Sequence, residues 1–163
     1  FEEHNIGKWY LGLVHGKLTP NKGSIENNLA EHPAKNGKMI IAHKGKFSHT
    51  DYEVVEEFKN HALVSFQIHT GRTHQIRVHV QSLGHSLVGD PLYGDGGSLY
   101  VSQLKKKFNL AKLEEEEKPI LNRLALHAHK LSFNKADGQT ISVEAPLPKD
   151  MRASLQQLSK WSK

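Results

Sequence analysis

The sequence predicts an α+β domain, built on a mixed, largely antiparallel sheet with a few flanking helices. Three observations lead there. Apolar residues alternate at a period near two in "HTDYEVVEEF" and "ALVSFQIH", on either side of a short polar "KNH", as an antiparallel hairpin requires. From Thr73 to Leu83 the period changes, and Ile76, Val80 and Leu83 fall at i, i+4 and i+7 on one helical stripe. The chain has 163 residues, 37% of them hydrophobic, and no cysteine, so one core must form without disulfides and has the length to do so.

The elements follow in order. "KWYLGLVHG" is a short apolar run closed by glycine and reads as a strand. Residues 17–37 hold Pro20, Gly23, Pro33 and Gly37 among polar residues, which predicts loops around a short strand near Ile25–Leu29. "KMIIAHKG" adds another strand, and the hairpin comes next, with Tyr52, Val54 and Glu56 expected on one face. In the helix over 73–83, Thr73 is the expected N-cap and Gly84 the left-handed C-terminal residue. Its polar side carries His74, Arg77 and Gln81. "DPLYGDGG" is turn chemistry, with Asp90 before Pro91 in an ordinary turn role. Residues 98–121, with the charge block "KLEEEEKP", read as a solvent-facing loop insertion. "ALHAHKLSFN" and "QTISVEAP" flank "KADG" as a second hairpin, and Met151, Leu155 and Leu158 mark a terminal helix from about Lys149.

A net charge of +5 and 12 histidines favour an anionic partner such as nucleic acid. No apolar run reaches membrane-spanning length and no leader is evident at the start, so a cytoplasmic protein is expected. The first residue is Phe1 rather than Met, which suggests part of a longer protein.

The Gly71-Arg72-Thr73 junction, between a strand and a helix start, suits an anion: free backbone N–H groups and the helix dipole point there, and Arg72 adds a planar fork. The bland alternative is a helix cap with an exposed arginine. Arg77, one turn into the helix, would need a carboxylate or phosphate if buried. His69, His74 and His79 repeat every five residues, which scatters them around a helix and argues against a metal site. His127 and His129 share a face only in a strand. There is neither a G-x-S-x-G elbow nor an isolated pair of catalytic carboxylates. Residue chemistry alone thus offers groups that hold RNA and no nucleophile.

"TGRTHQIRVHVQSLGHSLVGDPLYG" closely resembles the signature of the RluA-type pseudouridine synthases. "KWYLGLVHG", "NRLALHAHKLSF" and "VEAPLPKDM" resemble three further family segments in the right order. The likeness is to enzymes that modify large-subunit ribosomal RNA. It implies a reaction that breaks the uridine N1–C1′ bond, turns the base and joins C5 to C1′, with ribosomal RNA as partner and no metal or cofactor. By the same resemblance Tyr10 stacks on the target uracil, Arg77 orients the catalytic aspartate, and Leu126 forms apolar wall with Ile76 beside it. Lys8, Arg72 and His74 become RNA contacts.

One part of the pattern is missing. The family's nucleophile sits in an Arg-Leu-Asp sequence upstream of the Lys-x-Tyr strand, and Asp51, Asp90, Asp95, Asp137 and Asp150 all lie in other contexts. Residues 1–163 are therefore expected to be the C-terminal portion of one catalytic domain, inactive alone, with Arg77 turned to solvent, phosphate or a buffer anion. The alternative is a non-catalytic RNA-binding module on the same scaffold.

Overall fold

The computed structural model describes residues 6–105 and 117–163. Seven strands form one sheet: β1 (Ile6–His15), β2 (Lys22–Glu31), β3 (Met39–Ile41), β4 (Lys46–Glu57), β5 (His61–Ile68), β6 (Leu126–Asn134) and β7 (Thr140–Glu144), in the order β3-β2-β4-β5-β1-β6-β7. Every pairing is antiparallel rather than mixed. The short turns between β4 and β5 and between β6 and β7 can only reverse direction, and among the described residues no βαβ crossover makes a parallel neighbour. The helices are α1 (Gln75–Ser82), the single turn α2 (Val101–Leu104) and α3 (Lys149–Trp161).

Strand alternation gives the sheet two covered faces. Leu13 and Val14 are adjacent and both buried, yet they enter different clusters. Leu13 joins Leu63, Phe58, Met151 and Leu158 on the α3 side, while Val14 joins Val64, Phe66, Ile76 and Val80 on the α1 side. At about 25 cal/mol per Å² of apolar surface, the two layers together are the main drive to fold. Val78 extends α1 into a third cluster with Leu29 and Tyr93. Leu83, expected on the apolar stripe, is 40% exposed, because the helix ends there and Gly84 turns away at φ 82°.

Two irregularities reset the alternation. Between Val54 and Glu56 the register of β4 shifts, so Val54 faces Val64 but Glu56 faces Leu63 on the opposite side. Glu56 thus parts from Tyr52 and Val54 and accepts from the Ser159 hydroxyl of α3 at 3.3 Å. A second shift falls opposite Trp9 and Tyr10, which pair with Lys130 and Ala128 and leave His129 as the extra residue. This bulge keeps Ala128 and Leu126 in phase with Tyr10 and Gly12, while Lys130 covers the Trp9 ring on the other face at 5.0 Å.

The ends of the 98–121 segment belong to the core. Leu99 bridges Leu121, and both are buried with Leu104 against α3. Most of the acidic block lies in residues 106–116, outside the described residues.

Candidate functional site

The loop from Thr70 to His74 and the first turn of α1 bring the basic residues together over β1 and β6. The helix starts at Gln75, with His74 rather than Thr73 at the N-cap, and His74 makes no side-chain cap. Gln75 does the work expected of Thr73. Its buried amide oxygen accepts from the Thr70 hydroxyl (2.6 Å) and the Arg72 N–H (3.1 Å), and its amide nitrogen donates to the His49 carbonyl and the Thr50 hydroxyl. A side chain reaching back to the preceding loop satisfies donors that the cap leaves open.

His74 has φ 55°, a left-handed conformation that costs a residue with a Cβ roughly 1 kcal/mol or more. Its Nδ1 lies 2.8 Å from the Tyr93 hydroxyl, which accepts the Met39 N–H at 2.8 Å. Burial, with the Arg77 charge adding to it, lowers the His74 pKa below the usual histidine value, so the neutral ring accepts the Tyr93 proton at Nδ1. We expect His74→Gly to be more stable than His74→Ala by about 1 kcal/mol in urea denaturation, since both lose the Tyr93 contact and only glycine relieves the backbone.

Arg77 has a carboxylate partner. Its Nε and Nη2 donate to Asp90 Oδ2 and Oδ1 at 2.9 and 2.8 Å, and its guanidinium lies 5.0 Å from the Tyr93 ring centroid. This corrects two expectations: Arg77 does not turn to solvent or a stray anion, and Asp90 is more than a turn residue. Asp90 is fully buried and also accepts the Leu92 and Tyr93 backbone N–H groups. Burial pushes its pKa up, but the hydrogen bonds from Arg77 and those amides outweigh it and hold the carboxyl below its ordinary value. The same pair raises the pKa of Arg77. Asp90 occupies the Nε–Nη2 edge of the guanidinium, so the Nη1 edge remains for another acceptor.

Tyr10, Arg72, His74, Ile76, Arg77 and Leu126, with Ile68 and Gln75, line one pocket of about 230 Å³. Six of the seven residues singled out in the sequence therefore converge. Lys8 stands just outside, with its Nζ 4.0 Å from where a Cβ on Gly71 would lie, and it lines an adjoining cleft with Tyr10. Arg72 is shared between this pocket and a larger one of about 510 Å³ lined by Met39, Lys44, Lys46, Gly71 and Thr73. It is anchored there by donating from Nε to the Phe47 carbonyl at 2.8 Å.

Lys44, Lys46, Gln75, Asp90 and Tyr93 were not singled out. Only for Asp90 was a signal present: a helical arginine that needs an acid, and an Asp-Pro turn shortly after it.

Behind the pocket α1 is pinned to the sheet by His79. Its Nε2 lies 2.8 Å from Asn27 Oδ1 and its Nδ1 2.8 Å from the Thr50 hydroxyl. Asn27 Oδ1 can only accept, so Nε2 carries the ring proton and Nδ1 accepts from the Thr50 hydroxyl, and one neutral tautomer satisfies the network. Burial, with a smaller electrostatic contribution from His49, lowers the His79 pKa to about 4.

Residues 1–82 match the family model of RNA pseudouridylate synthase. The chain is 36% identical over 164 residues to an uncharacterized RNA pseudouridine synthase of Chlorobaculum parvum, covering 97% of this chain and 49% of that protein. It is 37% identical over 165 residues to ribosomal large subunit pseudouridine synthase D of Blochmanniella floridana, covering 99% and 49%. It thus spans about half the length of these relatives. Among solved structures, human RNA Pseudouridylate Synthase Domain Containing 1 superposes with a TM-score of 0.66 at 28% identity, over 91% of this chain and 57% of that one. With half of the chain matched by the family model, and every pocket residue but Leu126 inside the matched half, the chain belongs to the RNA pseudouridylate synthase family.

Proposed function

We propose that this chain holds a target uridine of ribosomal RNA for isomerisation to pseudouridine by the complete enzyme. The observation that carries the reading is the convergence of Tyr10, Arg72, His74, Ile76, Arg77 and Leu126 on one small pocket. Its volume suits a single flipped nucleotide, which must leave its stack for chemistry on the base. Tyr10 offers the stacking face, Leu126 and Ile76 the apolar wall. Lys44 and Lys46, beyond Arg72, give a basic path for the flanking phosphates. The setting would be a bacterial cytoplasm, the large-subunit relatives being bacterial.

The nucleophile is assigned to a carboxylate outside this chain. Asp90 is buried behind Arg77, Asp51 faces the other side of the sheet beside Gln67, and Asp150 pairs with Arg123. Asp95 and Asp137 each cap their own turn through the backbone N–H two residues on. The Nη1 edge of Arg77 would receive the incoming carboxylate and orient it toward C1′. That group attacks C1′ as the N1–C1′ bond breaks. The freed base turns, C5 bonds to C1′ as the bond from the carboxylate to C1′ breaks and returns the carboxylate, and C5 loses a proton while N1 gains one.

Tritium release from ribosomal RNA labelled at uridine C5 tests this. The complete protein is expected to release label, and this chain to bind the same RNA without release. Release by the chain alone would overturn the assignment of the nucleophile. No release by the complete protein would overturn the enzymatic reading in favour of a binding module.

A further inference from the structure

On the sheet face turned away from the pocket, β4 and the end of β5 hold a side-chain cluster that the uridine site does not use. Asp51 Oδ1 lies 2.9 Å from His49 Nε2, and Asp51 Oδ2 lies 2.7 Å from His69 Nε2. The two imidazole rings are 4.3 Å apart between centroids and tilted by 33°. One ligand atom from each of the three residues falls within 4.8 Å of the others. His49 and His69 sit opposite each other across the strands, where the His69 N–H donates to the His49 carbonyl at 3.0 Å.

From these contacts we propose that His49, Asp51 and His69 form a site for one divalent transition ion of the zinc class. Two imidazoles and a carboxylate favour such an ion over magnesium or calcium, which prefer all-oxygen shells. A tetrahedral ion with bonds near 2.0 Å sets its ligands about 3.3 Å apart, so entry lengthens the 2.9 and 2.7 Å contacts and draws in ligand atoms that now lie up to 4.8 Å apart. The ion takes the place of the protons that bridge each Nε2 to the carboxylate.

A second observation supports the site. The other nitrogen of His49, Nδ1, faces Glu26 Oε1 at 3.6 Å, the position of the outer carboxylate that orients a metal-bound imidazole. Glu26 pairs with His49 across β2 and β4, and Ser24 on β2 donates to Asp51 Oδ1. The cluster is open to entry: the His49, Asp51 and His69 side chains are 24%, 39% and 37% exposed. Spacing along the chain hides the site, because His69 finds its partners on the neighbouring strand and not at His74 or His79. An ion here would brace the strand ends from which the Thr70–His74 loop departs, since the His49 N–H donates to the Thr70 hydroxyl at 3.0 Å.

The test is isothermal titration of the tag-free, chelator-treated chain with zinc, with magnesium as control. One saturable zinc ion and no saturable magnesium binding are expected, with a higher thermal midpoint in zinc. His49→Gln with His69→Gln should abolish that site while other surface histidines still bind weakly. Glu26→Gln should weaken it about tenfold. Glutamine keeps an N–H donor for Asp51, and an unchanged midpoint without zinc verifies that the double variant folds. Stoichiometric zinc binding that survives the double substitution, or no saturable binding below millimolar zinc, overturns the proposal.

Discussion

Asp90→Ala is expected to cost the fold about 3 to 5 kcal/mol, because it leaves the Arg77 guanidinium largely buried without its counter-charge. The carboxylate is fully buried and the Arg77 side chain only 16% exposed, so water can replace little of what is lost. The same substitution frees the Leu92 and Tyr93 N–H groups that Asp90 accepts. Asp90→Asn keeps an acceptor for those amides and should cost less, about 2 kcal/mol. Arg77→Ala strands the Asp90 charge in turn and belongs in the first range. A double-mutant cycle with Arg77→Met and Asp90→Leu should then show coupling of more than about 1 kcal/mol, read from urea midpoints. Additive losses would mean that the pair is not energetically joined.

The ion pair also dictates how Arg77 is to be tested for its part in the reaction. Arg77→Ala in the complete protein should end tritium release, but a loss of stability would accompany it. Arg77→Lys keeps the charge and can meet Asp90 at one point only, so it cannot also present a second edge. It should remain folded and bind RNA while turnover falls at least a hundredfold, roughly the scale of lost positioning. Normal turnover per bound complex in Arg77→Lys would argue against the role of Nη1.

Acid is expected to unfold the domain earlier than its carboxylates alone would. Burial lowers the pKa of both His79 and His61 from 6.5 to about 4. His61, beside the His15 ring at 5.4 Å, has a buried Nδ1 without a hydrogen-bond partner. A folded-state pKa below the unfolded one means that the unfolded chain binds more protons between these values. Stability is therefore complete above pH 6.5 and lost as the pH falls toward 4. At pH 5 each histidine costs about 2 kcal/mol relative to pH 8, about 4 kcal/mol together. That is a large share of a typical domain's stability. His61→Leu, close in volume and without a titrating group, should halve the loss in urea denaturations at the two pH values. An unchanged pH dependence in that variant would remove His61 from the account.

Tyr10, Ile76, Arg77 and Leu126 could be brought to one pocket from the sequence because each sits in a segment whose resemblance fixes its place. The hairpins and the terminal helix were legible from periodicity, since one face of each is buried. Other features depend on contacts between distant segments and leave no local trace. The Glu56 reversal comes from one extra residue in β4, which a count by twos cannot anticipate. Thr73 has the chemistry of a cap, but Gln75 reaches four acceptors and donors on two segments, the Thr70–His74 loop and β4, and fixes the helix start instead. Asp90 looked like turn chemistry and is that, since it accepts the Leu92 and Tyr93 amides. Its second role required knowing that α1 lies over it.

The bridge between Leu99 and Leu121 has a consequence for how such domains vary. Both residues are locked in the core beside α3, so the chain between them leaves and returns at fixed points. The entropy of closing a loop grows only with the logarithm of its length, and doubling it adds about 0.6 kcal/mol. Insertions and deletions between the buried Leu104 and Leu121 can therefore accumulate at little thermodynamic cost, leaving the sheet and its pocket untouched.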